Sequence, residues 1–451
     1  MAIKNAYLKR VFDEVQKRDG NEPEFLQTVE EVLESLEPVI EKHPEYEAAG
    51  LIERLVEPER VISFRVPWVD DNGKTQVNRG YRVQFNSAIG PYKGGLRFAS
   101  HVNLSVMKFL GFEQTFKNSL TSLPMGGGKG GSDFDPNGKS DGEVMRFCQS
   151  FMTELQRHIG PNVDVPAGDI GVGAREIGYL FGQYKRIRGA YENGVLTGKG
   201  LSYGGSLIRP EATGYGAVYY LNEVLKHQND SIEGKIIGIS GFGNVSWGVC
   251  GKAAELGAKV VTLAGPDGYI YDPDGVVTPE KISYLLEMRA SGRNRVQDYA
   301  DKFGVEFFPG QKPWGRKFDI CMPCAYQNEI GMEEAESIVK NGTKYYIEVA
   351  NMPTTNEALY YMMDQKLIVA PSKAVNAGGV AVSGLEMSQN SERLSWKEEE
   401  VDEKLKTIMT NIHKASVDAA EECGLGYNLV AGANIAGFKK VAEAMMAQGI
   451  I

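Results

Sequence analysis

Hydrophobic residues recur with a helical period near the start of the chain. Phe25, Val29, Val32, Leu33 and Leu36 fall on one face of a helix, and acidic residues fill many of the positions between them. Because an isolated amphipathic helix is marginal in water, this face needs a partner. We therefore predict a helix that packs on a following sheet or on another subunit.

Two later segments alternate between apolar and polar residues with a period of two, which is typical of half-buried strands. Their apolar positions are Ile62, Phe64, Val66 and Trp68 in the first, and Tyr81, Val83 and Phe85 in the second. The turn-forming sequence Asp-Asp-Asn-Gly at 70–73 lies between them. This pattern predicts a hairpin that opens a mixed sheet.

Strand and helix patterns alternate in the second half of the chain. An apolar strand at 235–240 leads into a glycine turn at 241–246, a helix continues to Leu256, and a second strand follows at 259–263. This order is that of a βαβ unit with a phosphate-binding turn. Further strands are predicted at 319–322, 345–349 and 367–370, and helices at 212–227, beyond 398 and at 435–446.

These patterns predict an α/β fold with two domains, which fits a chain of 451 residues. Residues 1–204 are expected to form a mixed-sheet domain for substrate binding and oligomerisation. Residues 205–426 are expected to form a Rossmann-like dinucleotide-binding domain. The last segment, 427–451, is expected to return as a helix to the first domain.

Composition narrows the class of protein. A net charge of -10 argues against nucleic acid as a partner. The N-terminus has no apolar signal core and no run approaches membrane-spanning length, so we expect a cytoplasmic protein without a membrane partner. No metal site is expected, because the five histidines form no i, i+4 pair and the C-x-x-C of Cys321 and Cys324 lacks a second ligand pair.

Three lysines among glycines, together with one aspartate, carry the most specific chemistry. Lys93 lies in Pro-Tyr-Lys-Gly-Gly, Lys117 in Gln-Thr-Phe-Lys, Lys129 in Gly-Gly-Gly-Lys-Gly-Gly, and Asp169 in Pro-Ala-Gly-Asp-Ile-Gly. Converging ammonium groups repel one another unless an anion lies among them, and crowding lowers their pKa values. We interpret the set as a dicarboxylate site with a catalytic amine of depressed pKa. Asp169 lies away from charge runs, and we expect its pKa to be raised.

The glycine turn is the predicted dinucleotide site. Gly241, Gly243, Asn244 and Val245 open the helix, whose N-terminus is suited to hold a pyrophosphate, although Ser246 replaces the third glycine of the usual pattern. The usual acidic residue at the tip of the second strand is absent, and Asp267 follows two residues later. Asp267 disfavours an added 2′-phosphate, so NAD is favoured over NADP. The basic residues Arg289, Arg293 and Arg295 leave NADP open.

Several long motifs in order resemble the hexameric, bacterial type of glutamate dehydrogenase, within the Glu/Leu/Phe/Val amino-acid dehydrogenase family. The similarity runs essentially from end to end. The motifs are Gly-Pro-Tyr-Lys-Gly-Gly-Leu-Arg-Phe at 90–98, Leu-Pro-Met-Gly-Gly at 123–127, Pro-Ala-Gly-Asp at 166–169, Arg-Pro-Glu-Ala-Thr-Gly-Tyr-Gly at 209–216 and Ser-Gly-Leu-Glu-Met-Ser-Gln-Asn at 383–390.

The resemblance implies a role for each matching position. Lys129 is the implied catalytic lysine and Asp169 the implied proton shuttle. The implied substrate contacts are Lys93, Ser383 and Arg209 at the side-chain carboxylate, Gln114 and Lys117 at the α-carboxylate, and Gly168 beside Asp169. The implied cofactor contacts are Thr213, Asn244, Asn351 and Asn376. The implied reaction is reversible oxidative deamination of L-glutamate to 2-oxoglutarate and ammonium with NAD or NADP, in a homohexamer.

Other functions are weighed against this one. Leucine, valine and phenylalanine dehydrogenases are similar, but they place apolar groups where this chain has Lys93 and Ser383, and a cationic pocket is a costly mismatch for an apolar substrate. A Walker-type loop at Lys129 fails, because Leu123 and Gly130 occupy its required Gly and Ser or Thr positions. A non-catalytic metabolite sensor has no use for Lys129 and Asp169.

Overall fold

The computed structural model describes residues 3–450. The five residues of the predicted helical face all lie on one helix, α2 (Pro23–Ile40), and are fully buried against α5 (Leu104–Leu120) and the first sheet. The helices of the first domain are α1 (Ala6–Arg18), α2 (Pro23–Ile40), α3 (Pro44–Ala48), α4 (Leu51–Leu55), α5 (Leu104–Leu120), α6 (Asp141–Leu155) and α7 (Ala174–Arg188).

The first sheet is mixed and has the strand order β1-β2-β4-β3-β5. Its strands are β1 (Arg60–Val69), β2 (Thr75–Asn86), β3 (Tyr92–Phe98), β4 (Gly127–Ser132) and β5 (Asp164–Gly168). The predicted hairpin is confirmed: β1 and β2 pair antiparallel from Val69 opposite Thr75, and Gly73 in the turn has a φ of 77°. Strand β3 runs parallel to both β4 and β5.

Glycines let the backbones at the centre of this sheet approach one another and α5. A Cβ on Gly94 would overlap the carbonyl oxygen of Gly128, and one on Gly127 would overlap the side chain of Thr115 on α5. A Cβ on Gly95 would lie 2.8 Å from Cβ of Asp169. Only glycine fits such positions without a shift of the backbone. The close approach places the lysine-bearing segments of β3, β4 and α5 side by side.

The second domain contains a parallel sheet of order β13-β12-β11-β6-β7 and a small antiparallel sheet of order β10-β9-β8. The strands are β6 (Ile236–Ile239), β7 (Lys259–Val260), β8 (Thr262–Gly265), β9 (Gly268–Tyr271), β10 (Glu306–Pro309), β11 (Ile320–Met322), β12 (Tyr345–Ile347) and β13 (Ile368–Ala370). The helices are α8 (Ala212–His227), α9 (Asn244–Glu255), α10 (Pro279–Ala290), α11 (Gln297–Phe303), α12 (Met332–Lys340), α13 (Asn356–Asp364), α14 (Ser372–Val375), α15 (Gly378–Glu392), α16 (Glu398–Glu422) and α17 (Leu429–Gln448).

The continuous strand predicted at 259–263 is wrong. The chain pairs with β6 through Val260 and then changes partner at Val261, so that β8 joins β9 in the second sheet. The hydroxyl of Thr262 replaces the lost backbone partner, because it accepts from the amide of Ile239 and donates to its carbonyl, both at 2.9 Å. A change of pairing partner leaves no mark on hydrophobic periodicity.

The last helix, α17, returns to the first domain. Its apolar residues Ile435, Phe438 and Val441 are fully buried in the same core as α2 and α5. Helices α1, α2, α5 and α17 cover one face of the first sheet, and α6 and α7 cover the other. The predicted fold class is confirmed, whereas the exact domain limits stay a prediction. Within residues 3–450, no helix is long and apolar enough to span a bilayer.

Candidate active site

A cleft of about 1510 Å³ separates the two domains. It is lined from the first domain by the end of β5 and from the second by the start of α8 and the turn before α9. Eight of the sequence-predicted site residues lie in its lining: Gly168, Asp169, Arg209, Thr213, Gly241, Gly243, Asn244 and Val245. The three lysines lie behind Asp169 and Arg209, in the floor formed by β3, β4 and α5.

Lys129 and Asp169 form the chemical centre of this floor. Nζ of Lys129 lies 3.0 Å from Oδ2 of Asp169, and Nε of Arg97 donates to the same oxygen at 2.8 Å. The exposed fraction of the side chain is 5% for Lys129 and 18% for Asp169, so the pair is buried but reachable from the cleft. An ammonium and a carboxylate in this contact are able to exchange a proton with each other and with a bound molecule.

The pKa values of this pair follow from burial and from their mutual attraction. Burial lowers the pKa of Lys129 and outweighs the opposing effect of Asp169, which confirms the predicted depression. The expected raised pKa of Asp169 is wrong. Burial alone would raise that pKa, but the charges and hydrogen bonds of Lys129 and Arg97 lower it below its ordinary value. The carboxyl group is therefore ionised and available to accept a proton.

Lys117 and Gln114 reach the floor from α5. Burial and the nearby Lys129 lower the pKa of Lys117 to about 8. Cγ of Gln114 lies 3.3 Å from where a Cβ of Gly94 would stand, and its amide donates to Oδ1 of Asn118 at 2.6 Å. Gln114 therefore faces the strand that carries Lys93, whereas the charges that act on Lys117 include Lys129 and Asp169. A bound anion raises the pKa of a lysine that it contacts, so a lysine with a pKa near the ambient pH takes up a proton when the anion binds.

Lys93 lies deepest in the floor. It is 1% exposed, and burial together with the charges of Arg209 and Arg82 lowers its pKa well below the ordinary value. Its Nζ donates to Oγ1 of Thr197 at 2.8 Å. Thr197 is a site residue that the sequence reasoning missed, because it lies in an irregular segment without periodicity. Arg97 was also missed as a site residue, although it shares a face of β3 with Lys93 by the two-residue period.

Arg209 and Ser383 meet on the opposite side of the same pocket. Nε of Arg209 donates to Oγ of Ser383 at 2.9 Å, which joins the segment before α8 to α15. Ile208, immediately before Arg209, has a φ of 64°, a costly conformation for a β-branched residue. The left-handed conformation of Ile208 thus sets the direction in which the chain presents the Arg209 side chain. The structure brings Arg209 and Ser383 into contact, and the charge of Arg209 acts on Lys93, while their contacts with a side-chain carboxylate stay a prediction.

The glycine turn fits a dinucleotide phosphate. Helix α9 starts at Asn244 after Gly243 and has no side chain hydrogen-bonded to its first amides. Gly241 has a φ of 79°, and a Cβ there would lie 3.0 Å from Oγ of Ser246. The hydroxyl of Ser246, in place of the third glycine, donates to the carbonyl of Ser240 at 3.2 Å and tightens the turn. Free amides at a helix N-terminus form a site for phosphate.

A second feature also fits the cofactor. The amide nitrogen of Asn376 donates to the carbonyl of Val349 at 3.1 Å and to Oδ1 of Asn351 at 2.9 Å, whereas its buried Oδ1 has no partner. A buried acceptor without a donor is costly, so this oxygen is available to a ligand. Neither asparagine belongs to the lining that contains Asp169, and their contacts with a cofactor stay a prediction.

Asp267 has hydrogen-bond partners within the second domain. Its carboxylate accepts from the amides of Val296 at 2.9 Å and Gln297 at 3.0 Å, at the start of α11, while its neighbours Pro266 and Gly268 line the cleft. It therefore fixes the loop after β8, and its contact with a ribose stays a prediction. Among the three arginines, Arg289 lines the cleft, with Nη1 3.4 Å from where a Cβ of Gly243 would stand.

The two thiols of the C-x-x-C sequence lie in hydrophobic clusters of the second domain. Cys321 and Cys324 are reduced and buried, and burial raises the pKa of Cys321 to about 12. Within residues 3–450, no group of histidine, cysteine, aspartate and glutamate side chains is arranged to hold a metal ion.

Residues 58–186 match a family described as "Glu/Leu/Phe/Val dehydrogenase, dimerisation domain", and residues 204–449 match one described as "Glutamate/Leucine/Phenylalanine/Valine dehydrogenase". The chain belongs to the Glu/Leu/Phe/Val dehydrogenase family. The predicted family is thereby confirmed. Both matched regions line the cleft, the first through Gly168 and Asp169 and the second through Arg209 and Thr213.

Individual relatives within this family span the whole chain. An NAD-specific glutamate dehydrogenase of Clostridium symbiosum is 72% identical over 445 residues, covering 98% of this chain and 99% of the relative. An NADP-specific glutamate dehydrogenase of Haemophilus influenzae is 54% identical, covering 99% of each. A solved glutamate dehydrogenase structure superposes with a TM-score of 0.98 at 72% identity, covering 99% of this chain and all of that one.

A more distant solved relative is a hetero-hexameric glutamate dehydrogenase from Thermus thermophilus. It has a TM-score of 0.80 at 27% identity and covers 92% of this chain and 97% of that one. The fold is therefore retained when most side chains differ.

Proposed function

We propose that this chain catalyses the reversible oxidative deamination of L-glutamate to 2-oxoglutarate and ammonium with NAD or NADP. The observation that carries the proposal is the cleft floor, where buried lysines of lowered pKa surround the Lys129–Asp169 pair. Basic groups in excess at a buried site need an anion, and a dicarboxylate supplies two negative charges at a fixed separation. Relatives across the whole chain are glutamate dehydrogenases, which supports the same substrate.

The substrate contacts divide between two ends. Lys93, Arg209 and Ser383 hold the side-chain carboxylate, with Thr197 fixing the Lys93 ammonium. Gln114 and Lys117 hold the α-carboxylate. Gly168, the residue before Asp169, contacts the substrate through its backbone. An apolar amino acid would leave Lys93 and Arg209 unpaired, which costs more than its side chain gains. This end of the pocket therefore excludes leucine, valine and phenylalanine as good substrates.

Lys129 and Asp169 move protons at the α-carbon. When bound, the nicotinamide ring accepts the hydride from the α-carbon of a substrate whose amine is neutral. Asp169, ionised in the free protein, accepts a proton from the substrate ammonium. Lys129, as the neutral amine that its lowered pKa makes accessible, removes a proton from water as that water attacks the iminium carbon, and the resulting ammonium stabilises the developing oxygen. Asp169 then returns its proton to the carbinolamine nitrogen, and it accepts the proton of the carbinolamine hydroxyl as the C–N bond breaks and ammonia leaves.

Several residues of the second domain suit the dinucleotide. The amides at the start of α9, after Gly241 and Gly243, would hold the pyrophosphate, with Asn244 and Val245 beside it. Asn376 would offer its unpaired oxygen to a donor on the cofactor, braced by Asn351, and Thr213 would lie on the same wall. We infer a preference for NAD, since the relative at 72% identity is NAD-specific.

We infer a homohexamer as the assembly. Strand β1 is an edge strand whose outer side has no partner among residues 3–450, and Val61, Val69 and Val77 on its hairpin are exposed. An exposed edge with apolar residues is typical of an interface. The name of the first matched family, and the Thermus relative described as hetero-hexameric, support self-association. Light scattering on the purified protein tests this, with a mass six times 49.5 kDa expected.

Initial rates test the proposed reaction. We expect the reductive amination of 2-oxoglutarate by ammonium to be faster with NADH than with NADPH. We expect kcat/KM for the oxidation of L-glutamate to be at least about 10³-fold higher than for L-leucine, L-valine or L-phenylalanine. Comparable kcat/KM for one of the apolar amino acids would contradict glutamate as the substrate. A higher kcat/KM with NADPH would contradict only the cofactor preference.

A further inference from the structure

A buried ion pair lies behind the pocket proposed for the side-chain carboxylate. Nζ of Lys199 donates to Oε1 of Glu386 at 2.7 Å and to Oδ1 of Asn390 at 2.9 Å. Both charged side chains are 0% exposed. Lys199 lies in the irregular segment after α7, whereas Glu386 and Asn390 lie on α15. The pair therefore joins the first domain to the second, and Lys199 belongs to the cleft lining.

The carboxylate of Glu386 also holds the backbone of that segment. Its Oε2 accepts from the amide of Gly198 at 2.9 Å, and its Oε1 accepts from the amide of Lys199 at 3.4 Å. Thr197 immediately precedes these amides, and its hydroxyl accepts from Nζ of Lys93. The position of the Lys93 ammonium is thus set by Thr197, and the position of Thr197 by Glu386.

Glu386 is tied to the other side of the pocket through its own helix. Ser383 lies three residues earlier on α15, on the same face, and its hydroxyl accepts from Nε of Arg209. The negative charge of Glu386 raises the pKa of both Lys93 and Arg209, which opposes the effect of burial on each. One carboxylate thus fixes both halves of the pocket and supplies them with a counter-charge.

We propose that Glu386 is a positioning residue that sets the geometry of the Lys93–Arg209 pocket and thereby the affinity for the distal carboxylate of the substrate. This inference rests on the proposed function, because it assigns that pocket to a dicarboxylic amino acid. Glu386 itself touches no reacting atom, since Lys199 and the segment amides occupy its oxygens. Lys199 is its counter-ion and keeps a buried negative charge from being unpaired.

The substitution Glu386→Gln tests the proposal. It keeps the shape of the side chain but removes the charge. We expect the KM for L-glutamate to rise about ten- to hundredfold while kcat changes by less than about threefold. Binding of NADH, measured by fluorescence, should be unchanged. The KM should rise with pH as the Lys93 ammonium loses its proton. Because the charge of Glu386 raises the pKa of Lys93, this rise should occur at lower pH in the Glu386→Gln variant.

Two further variants separate positioning from folding. Asp272→Asn breaks a different buried ion pair, between Asp272 and Lys281 at 2.6 Å, and should lower thermal stability without changing the KM or its pH profile. The double variant Lys199→Gln with Glu386→Gln replaces the ion pair by two neutral amides, and should recover stability while keeping the raised KM.

A folded Glu386→Gln or double variant with the wild-type KM and pH profile would overturn the proposal, as would a fall in kcat at an unchanged KM. Failure of both variants to fold would assign Glu386 to folding alone and would overturn it too. The proposed function fails separately, if the wild-type protein does not oxidise L-glutamate.

Discussion

Helix α5 carries two buried charge clusters of opposite sign, one turn apart on the same face. In the basic cluster, Lys117 joins Lys93 and Lys129 in the cleft floor, where basic groups outnumber acids. In the acidic cluster, Glu113 joins Glu31 and Glu348 around Lys373, whose Nζ lies 3.2 Å from Glu31 and 3.8 Å from Glu113. The basic cluster reaches the cleft through Asp169, the partner of Lys129, whereas none of the three glutamates lines the cleft.

The two clusters manage their excess charge differently. The acidic cluster surrounds a cavity of about 20 Å³. Burial raises the pKa of Glu348 to about 7 and that of Glu113 above its ordinary value, so protonation of these carboxyl groups reduces the negative charge of the cluster. The basic cluster carries lowered pKa values beside a cleft of about 1510 Å³, so an external anion is able to neutralise it. An excess of buried charge indicates a ligand site only where a ligand has access.

The largest expected effect comes from Asp169→Asn, which removes the proton carrier of the basic cluster. We expect kcat for L-glutamate to fall about 10³-fold, because acid–base catalysis by a positioned side chain contributes about 10²- to 10⁴-fold. The affinity for glutamate, measured by calorimetry, should stay within about threefold, since Asp169 contacts no substrate carboxylate. Asp301→Asn on the exposed face of α11 is the matched control. Turnover near that of the wild type would refute the proton-transfer role.

A smaller effect is expected when the basic cluster is made apolar at one end. Lys93→Leu with Ser383→Val should lower kcat/KM for L-glutamate about 10²- to 10³-fold and raise it for L-norvaline, which has no distal carboxylate. The ratio of the two kcat/KM values is the measurement. Lys185→Leu, at an exposed position of α7, serves as the control for an added leucine. Unchanged glutamate kinetics in the double variant would remove the pocket assignment.

The smallest effect is expected in the acidic cluster and concerns stability alone. The pKa of Glu348 is raised from 4.5 to about 7, so the folded state keeps this proton while the unfolded chain loses it. Stability is therefore fully present below pH 4.5 and is lost as the pH rises towards about 7. Glu348→Gln should remove that loss and stabilise the protein by about 1–3 kcal/mol above neutral pH, but not in acid.

Thermal denaturation below pH 4.5 and above neutral pH checks this stability prediction. Glu336→Gln, an exposed replacement on α12, should leave the pH dependence unchanged. If Glu348→Gln is no more stable than the wild type above neutral pH, Glu348 is ionised in the folded protein and the acidic cluster is neutralised by some other means.

Local sequence pattern predicted those parts of the fold whose signal is local. The helical face of α2 and the helix α8 follow directly from periodicity, and the glycine turn before α9 follows from a strand–turn–helix order. The lysines were recognised because glycine neighbours mark close backbone approach, which the overlap at Gly94 explains. Motifs shared with the family predicted roles that spacing alone does not give.

Prediction from the sequence failed for properties that depend on residues distant in the chain and adjacent in the folded protein. The pKa of Asp169 is lowered rather than raised because Arg97 on β3 and Lys129 on β4 converge on it from adjacent strands. Thr197 lies in a segment without periodicity and becomes visible only through its bond to Lys93. The break at Val261 results from a change of pairing partner, which is likewise non-local.

Proton uptake on binding of glutarate, a dicarboxylate without a reactive amine, tests the central claim most directly. Calorimetry in buffers of different ionisation enthalpy counts the protons bound. Near the lowered pKa of Lys117, about 8, we expect net proton uptake, because each carboxylate raises the pKa of the lysine it contacts. About two pH units lower, where Lys117 is already protonated, uptake should be smaller. Binding without proton uptake near pH 8 would contradict the account.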